Sequence, residues 1–289
     1  MVIFEGKTDI FGGITVRSES YNKVTDLKQS IRDSLSEWKS KAIRGIWFHV
    51  DIKDSWWIPV LVDEGFIFHH AQSNYVMLTK WLPEKEENTL PRYPFTTIGV
   101  AGLVANNAGD ILLMKERRGN YLGWKYPGGA AEPNEDIFDA GIREVFEETG
   151  IQTKPICILC FRHFHGFRYK DNSDLYFVCV MKPVDENQIE LNPCPRETSA
   201  CCWMSREEIA KLPQEEFHNF HRSILERYDK WLASGRKGCH AEQFNVPELK
   251  KQKKSLLSTN SKSKITTYYT LHIYGYGERV PYAPNRRRK

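Results

Sequence analysis

Residues 128–151 read GGAAEPNEDIFDAGIREVFEETGI. Gly129 is followed after five residues by Glu135, and after seven more by the run REVFEETGI. Pro133 and Asn134 are of types that open a helix, and Gly150 is of the type that closes one. We therefore predict a helix that directly follows a glycine pair. We expect its apolar arc to consist of Phe138, Ile142, Val145, Phe146 and Thr149.

Three acidic residues of the predicted helix, Glu144, Glu147 and Glu148, form a stripe separate from this apolar arc. They are three or four positions apart, so like charges lie side by side at a cost of roughly 0.2 to 0.5 kcal/mol per pair. A bound cation would offset that cost. Since all the side-chain ligands are carboxylate oxygens, the stripe suits Mg²⁺ or Mn²⁺ better than zinc.

The pair Gly128–Gly129 lies where a strand through Trp124–Pro127 would end. Glycine permits a sharp turn or a close approach to a ligand, so we predict a loop that holds metal-bound phosphate against exposed backbone groups. Arg143 is on the flank of the acidic stripe. We interpret it as a residue that orients the carboxylates, with direct phosphate contact as the lesser alternative.

The segments on either side suggest two domains and a tail. Upstream, apolar residues from Val24 to Trp38 recur at helical spacing, and strand-like runs follow. The segment 82–94 has three prolines and three acidic residues without periodicity, so we place a boundary there and predict a small α/β domain over 1–90. Residues 96–106 and 111–116 alternate like two strands around an Asn/Gly/Asp turn, which predicts a β-hairpin.

Charge separates the tail from the rest. The chain has 289 residues and a net charge of +4, but residues 236–289 carry 13 Lys or Arg against 3 acids. We predict a basic, largely disordered tail that solvates the protein, with nuclear import or weak contact with nucleic acid or anionic lipid as alternatives. Its aromatic segment, TTYYTLHIYGYG, could add one strand.

Composition restricts the class of protein. Hydrophobic residues make up 40% and charged residues 27%, a globular balance, and no apolar run reaches the ~20 residues of a membrane span. The N-terminus lacks the pattern of a targeting peptide. We expect the protein in the cytoplasm, with the nucleus as an alternative. Seven cysteines suit a reducing compartment, and we interpret the CxxC pair Cys157 and Cys160 as core residues rather than a zinc or redox site.

The stretch 129–151 matches the Nudix box, G-x5-E-x7-R-E-U-x-E-E-x-G-U with U apolar, at every fixed position. The chain resembles a Nudix hydrolase over residues 95–232. Residues 43–94 resemble the pre-Nudix domain of one subfamily, which contains plant ADP-ribose and NADH pyrophosphatases and the animal Nudix protein encoded antisense to basic fibroblast growth factor. The other matching stretches are RGIWFHV, EGFIFHHAQSNYVMLTKWLP, WKYPGG, FRHFHGFRYKDNSDLYFVCVMKP and RETSACCWMSREEI.

This resemblance implies an α/β fold, a Nudix α/β/α sandwich with a mixed sheet, preceded by a small α/β domain similar to part of an acetyltransferase. It implies hydrolysis of a nucleoside diphosphate linked to another moiety. By the same resemblance, Glu144, Glu147 and Glu148 bind the divalent metal together with the backbone carbonyl of Gly129. No run that could cradle a coenzyme pyrophosphate is present in residues 43–90, so we do not expect acetyl transfer.

Residues outside the box are assigned less directly. The general base would be Glu148 or Glu197, although Glu197 reads equally well as a solvated loop acid. Arg162 and His165 could reach the substrate, but the FRHFH segment around them could instead be a strand edge.

No substrate signature of a known Nudix class is present, so subfamily likeness alone points to ADP-ribose or NADH. The rival hypothesis is a regulatory protein that binds a nucleotide diphosphate without turnover. A role of the N-terminal domain in forming a homodimer is a further expectation.

Overall fold

The chain folds into two compact units, Met1–Pro94 and Phe95–Lys289. The computed structural model describes residues 2–21, 24–166, 172–187 and 190–235, and the backbone alone of 240–245 and 265–270. The division at Pro94 coincides with the end of the proline-containing segment 82–94.

The first unit is a five-stranded sheet with two helices. Its sheet has the order β1-β2-β3-β5-β4, in which β2 and β3 are parallel and the other pairs antiparallel. Its elements are β1 (Lys7–Thr8), β2 (Gly13–Arg17), α1 (Leu27–Ser40), β3 (Gly45–Asp51), α2 (Trp57–Asp63), β4 (Ile67–Ala71) and β5 (Tyr75–Trp81).

Helix α1 confirms the helix predicted from the periodicity between Val24 and Trp38. Its first turn is capped by Asp26, whose carboxylate accepts a hydrogen bond from the Gln29 N–H at 3.0 Å. Leu27, Ile31 and Trp38 are buried in one core cluster with residues of the sheet. The spacing of apolar residues therefore predicted both the helix and its buried face.

The second unit contains a six-stranded mixed sheet, ordered β12-β13-β9-β10-β6-β8, and a two-stranded sheet, β11-β7. Strands β6 and β10 are parallel and the other pairs antiparallel. The elements are β6 (Thr96–Val104), β7 (Ile111–Glu116), β8 (Gly128–Ala130), α3 (Ile137–Thr149), β9 (Thr153–His165), β10 (Ser173–Pro183), β11 (Thr198–Met204), α4 (Arg206–Lys211), α5 (Asn219–Ala233), β12 (His240–Asn245) and β13 (Ile265–Thr270).

Helices cover both faces of the mixed sheet. Along β6, Val100 and Val104 belong to the core cluster that contains Val145 of α3, whereas Leu103 belongs to the cluster that contains Ile224 of α5. Alternate residues of a strand point to opposite faces, so α3 and α5 lie on opposite sides of the sheet. This is the helix–sheet–helix layering expected from the resemblance.

The predicted hairpin between residues 96 and 116 is wrong. The turn forms, since the Asn106 N–H donates to the Asp110 carbonyl at 3.1 Å, but one isolated bridge, Ala105 to Ile111, joins the two segments. Strand β6 pairs instead with β10 and β8, and β7 pairs with β11. Because β6 is buried from Gly99 to Val104 and has neighbours on both edges, no edge is left for β7.

Cys157 and Cys160 lie buried in β9 within one core cluster, as the sequence predicted. Among the described residues, neither cysteine belongs to a cluster of three or more His, Cys, Asp or Glu side chains of the kind that holds a metal ion. Within the same residues, no helix is both long and apolar enough to cross a membrane.

The C-terminal region contributes β12 and β13. Strand β13 covers part of the aromatic segment for which we expected a strand, and it pairs with β12 and β9. The remaining residues of 236–289, including the two basic clusters 250–254 and 286–289, lie outside the described residues. The prediction of a largely disordered tail stays a prediction.

Candidate active site on helix α3

Helix α3 begins three residues later than predicted. Its N-cap is Asp136, and Asn134 has a positive φ of 65°, which lies outside the helical region. Its end agrees with the prediction, because Gly150 adopts φ 79° and donates its N–H to the Phe146 carbonyl at 2.8 Å.

The buried face of α3 is rotated from the predicted apolar arc. Phe146 is 42% exposed, whereas the small residues Ala140 and Gly141 are buried. A Cβ on Gly141 would lie 2.4 Å from Cε of Met181, so the Met181 side chain occupies the space that a larger residue at position 141 would need. This rotation turns the acidic stripe towards the sheet and buries Glu148.

The glycine pair begins β8 rather than a loop. Gly128 pairs with Ala101 and Gly129 with Val100 of β6. A Cβ on Gly128 would lie 2.1 Å from the Val100 carbonyl oxygen, and one on Gly129 would lie 2.5 Å from Oε1 of Glu144. Both glycines are therefore explained by close backbone approach, and the second brings its peptide next to a carboxylate of α3.

Glu148 is a buried carboxylate, 6% exposed. Its Oε2 accepts a hydrogen bond from the Gly128 N–H at 2.6 Å. Burial raises its pKa to about 7, against the opposing effects of the Lys125 ammonium and the Gly128 N–H. Near neutral pH, both the protonated and the ionised forms of Glu148 are therefore populated.

Arg143 connects the acidic residues of the box. Its guanidinium donates to both oxygens of Glu135, at 2.7 and 2.9 Å, and to Glu144 at 2.8 Å. It also reaches Glu147 at 3.3 Å and the Ala130 carbonyl at 3.1 Å. All five N–H donors are thus used within the protein. The contacts are those of a residue that orients carboxylates and leave no donor for phosphate.

Glu144 and Glu147 lie close enough to share one nitrogen of Arg143. Burial raises the pKa of Glu144, and Arg143 opposes the rise. The Glu147 side chain is 49% exposed. In this arrangement Glu144 and Glu147 accept hydrogen bonds from Arg143, and Glu148 accepts one from the Gly128 N–H.

The donor set nevertheless fits a hard divalent cation. All of its ligand atoms are oxygens, and the carboxylates of Glu144 and Glu147 already face one positive group, Arg143. Gly129 has no side chain, so its backbone lies next to the Glu144 carboxylate. The metal-binding roles of Gly129, Glu144, Glu147 and Glu148 stay predictions.

Glu197 is exposed in the turn before β11. Its carbonyl accepts the Arg117 N–H at 2.7 Å, and the adjacent Thr198 donates its hydroxyl to the Glu148 carbonyl at 3.0 Å. The turn that carries Glu197 is therefore fastened to the end of α3. Its role as a base stays a prediction.

Arg162 and His165 both belong to β9, within the strand that the alternative interpretation favoured. The Arg162 guanidinium lies over the ring of Phe220, 4.5 Å from its centroid, and near Tyr176 at 5.6 Å. Its Nη2 is 3.8 Å from the Asp174 carboxylate, and its buried Nε has no hydrogen-bond partner within the described part of the chain. His165 is exposed at the strand end, with its ring 4.2 Å from that of His163. Their contact with substrate stays a prediction.

Two contributors to the site were missed in the sequence. Glu135 is the bidentate partner of Arg143, and its place in the motif spacing was a signal for it. Lys125 forms an ion pair with Glu116 and acts on Glu148. Nothing in the sequence pairs Lys125 with Glu116, because the contact depends on how the segment after β7 folds back.

Comparison with known proteins agrees with this geometry. A family model described as the NUDIX domain matches residues 96–228, and one described as the Nudix hydrolase domain matches residues 4–82.

Similar proteins include Nudix hydrolase 2 of Arabidopsis thaliana, 35% identical over 71% of this chain and 73% of that protein. Nudix hydrolase 8 of the same plant is 32% identical over 78% of this chain and 61% of its own length. The human nucleoside diphosphate-linked moiety X motif 6 is 36% identical over 72% and 66%. The chain thus spans between three fifths and three quarters of these relatives.

Proposed function

The chain belongs to the Nudix hydrolase family of enzymes, and on that premise we propose that it hydrolyses the pyrophosphate bond of a nucleoside diphosphate linked to another moiety, with ADP-ribose or NADH as substrate and AMP as a product. The observation that carries this proposal is the set of α3 carboxylates, in which Glu144 and Glu147 share Arg143 while Glu148 is buried against Gly128.

Glu144, Glu147, Glu148 and the Gly129 carbonyl would hold Mg²⁺ or Mn²⁺. When bound, such an ion neutralises charge on the pyrophosphate and lowers the pKa of a coordinated water. Arg143 orients Glu144 and Glu147 and ties them to Glu135 on the flank of the helix. The pairing of β8 with β6 holds the Gly128–Gly129 backbone beside the carboxylates.

The general base accepts the proton of the attacking water. Glu148 is suited to this by its position, since its carboxylate lies beside the Gly128 N–H on the helix that carries Glu144 and Glu147. Glu197 is the alternative, on the turn that Thr198 fastens to α3. Arg162 and His165 would contact the moiety beyond the cleaved bond.

One observation favours a second candidate function, a catalytically weak nucleotide-sensing protein. Glu144 and Glu147 are hydrogen-bonded to Arg143, and Glu148 is hydrogen-bonded to the Gly128 N–H. A protein that kept this arrangement would bind nucleotide diphosphates without cleaving them.

Three further proposals concern the whole protein. The first unit, whose likeness to an acetyltransferase stays a prediction, would form a homodimer. The basic residues of 236–289 would make weak contact with nucleic acid. We propose a cytoplasmic location, with import into the nucleus if the basic clusters act as a signal.

A substrate panel tests the function. Purified protein is incubated with ADP-ribose, NADH, coenzyme A, dinucleoside polyphosphates and capped RNA, each with Mg²⁺, Mn²⁺ or EDTA, and products are separated by chromatography. We expect AMP from ADP-ribose or NADH with either metal and none with EDTA. Saturable binding across the panel without any product would establish the sensing function instead.

A further inference from the structure

Lys125 is held rigidly beside the site by its backbone. Its N–H donates to the Met114 carbonyl and its carbonyl accepts the Met114 N–H, both at 2.9 Å. This two-bond bridge joins it to β7 three residues before Gly128, whose N–H binds Glu148. The side chain is 15% exposed, so the ammonium group lies within the site rather than in solvent.

The Lys125 ammonium faces two carboxylates. It forms a close ion pair with Glu116 of β7. It is also the strongest positive charge acting on Glu148, with Glu116 and Glu144 acting in the opposite sense. Lys125 is therefore paired with the acidic residue at the end of β7, and its charge lowers the pKa of the buried acid of α3.

Lys125 and Arg143 differ in how many of their side-chain N–H groups are already hydrogen-bonded within the protein. A pyrophosphate brings negative charge to carboxylates and needs N–H donors as well as metal. Arg143 has its five N–H groups bound to Glu135, Glu144, Glu147 and the Ala130 carbonyl. Lys125 has three N–H groups, and the hydrogen bond to Glu116 uses one.

We infer that Lys125 binds the substrate directly, donating its remaining N–H groups to oxygens of the pyrophosphate while Glu116 holds the third. The inference rests on the proposed function and adds a phosphate-binding residue to it. Lys125 thus supplies the phosphate contact that the sequence suggested as the lesser role of Arg143. Glu116 holds one N–H group of Lys125 and competes with the pyrophosphate for the ammonium charge.

The test compares two lysines in matching pairs. Lys115, on the same strand as Glu116, forms a close ion pair with Glu216 and lies over the Trp124 ring, with its side chain 23% exposed. Calorimetry measures the affinity of the full chain for inorganic pyrophosphate with Mg²⁺, and kinetics measure KM and kcat on the substrate found in the panel.

For Lys125→Met we expect pyrophosphate affinity to fall about 10- to 100-fold, the loss of a charge-assisted hydrogen bond. KM should rise by a similar factor, and Lys125→Arg should restore part of the affinity. Lys115→Met should bind within about twofold of the wild type. Glu116→Gln releases Lys125 and should tighten pyrophosphate binding.

Unchanged pyrophosphate affinity in Lys125→Met, or equal losses in Lys125→Met and Lys115→Met, would overturn the inference. If Lys125→Met does not fold, weaker or unchanged binding in folded Glu116→Gln overturns it. The two proposals fail separately: weakened pyrophosphate binding in a protein that cleaves no substrate contradicts only the proposed function, whereas normal KM and affinity in an active Lys125→Met contradict only the role of Lys125.

Discussion

Helices α1 and α3 are similar in length and position but bury different chemistry. Each packs one face on the sheet of its own unit, α1 with 14 residues and α3 with 13. The buried polar residues of α1 are Ser30 and Ser34, whose hydroxyls donate to backbone carbonyls at 2.7 Å. The buried polar residues of α3 include Glu148, a carboxylate.

The difference shows where the molecule gives up stability. A serine hydroxyl bonded to the preceding turn leaves no charge in the core. A buried carboxylate costs free energy unless it is neutralised or paired, and the raised pKa of Glu148 expresses that cost. We therefore infer that α1 contributes mainly to the stability of its unit, whereas α3 holds a carboxylate in a buried position at some cost in stability.

The largest expected effect comes from two matched glutamates. Glu147 of α3 and Glu37 of α1 each face a cation four residues away, Arg143 and Lys41, with side chains 49% and 41% exposed. Glu147→Gln should lower the rate of substrate hydrolysis by several powers of ten, each corresponding to about 1.4 kcal/mol of activation free energy, because it loses a metal ligand. Glu37→Gln should leave the rate unchanged. Steady-state kinetics on both variants decide this, and similar rates would remove the functional distinction between the helices.

The second comparison is between two arginines. Arg143 and its partners Glu135 and Glu144 are 12 to 15% exposed, whereas Arg32 of α1 is 54% exposed beside Glu64. Arg143→Met leaves buried carboxylates unpaired and should cost about 3 to 5 kcal/mol of unfolding free energy. Arg32→Met should cost less than about 1 kcal/mol. Urea denaturation followed by fluorescence measures both, and equal losses would contradict the contrast.

The third comparison uses pH. The pKa of Glu148 is raised from 4.5 to about 7, so the folded state binds the proton more tightly than the unfolded state between these values. Its contribution is present in full below about pH 4.5 and is lost as pH rises through 7, at about 1.4 kcal/mol per unit. In EDTA, Glu148→Gln should therefore gain stability over the wild type as pH rises.

The matched control for pH is Ser34→Ala in α1, whose stability difference from the wild type should not vary over the same pH range. Urea titrations at several pH values measure both. A constant difference for Glu148→Gln would show that Glu148 titrates normally. Added Mg²⁺ should reduce the gain of the variant, since a metal stabilises the ionised carboxylate of the wild type.

Local pattern predicted much of the fold. The periodicity of α1, the end of α3 at Gly150 and the strand-like runs of the first unit depend on neighbouring residues, and each was found. The Nudix box predicted the family and placed the three glutamates on one helix. The sequence did not predict which of the three glutamates is buried in the structure.

Non-local packing accounts for the errors. The hairpin failed because β6 takes β10 and β8 as partners, a choice that a local turn does not encode. The arc of α3 was misplaced because Gly141 and Gly102 let helix and sheet approach closely, as a Cβ on Gly102 would lie 2.4 Å from Val145. A pattern based on hydrophobicity gives such glycines no weight.

The fully engaged guanidinium of Arg143 limits what evolution can place at this position. Lysine would carry the same charge but only three N–H groups, concentrated on one atom, and could not span Glu135, Glu147 and the Ala130 carbonyl together. Geometry here rules out an exchange that charge alone would permit. We therefore expect Arg143→Lys to keep the positive charge but to lose hydrogen bonds to some of these partners.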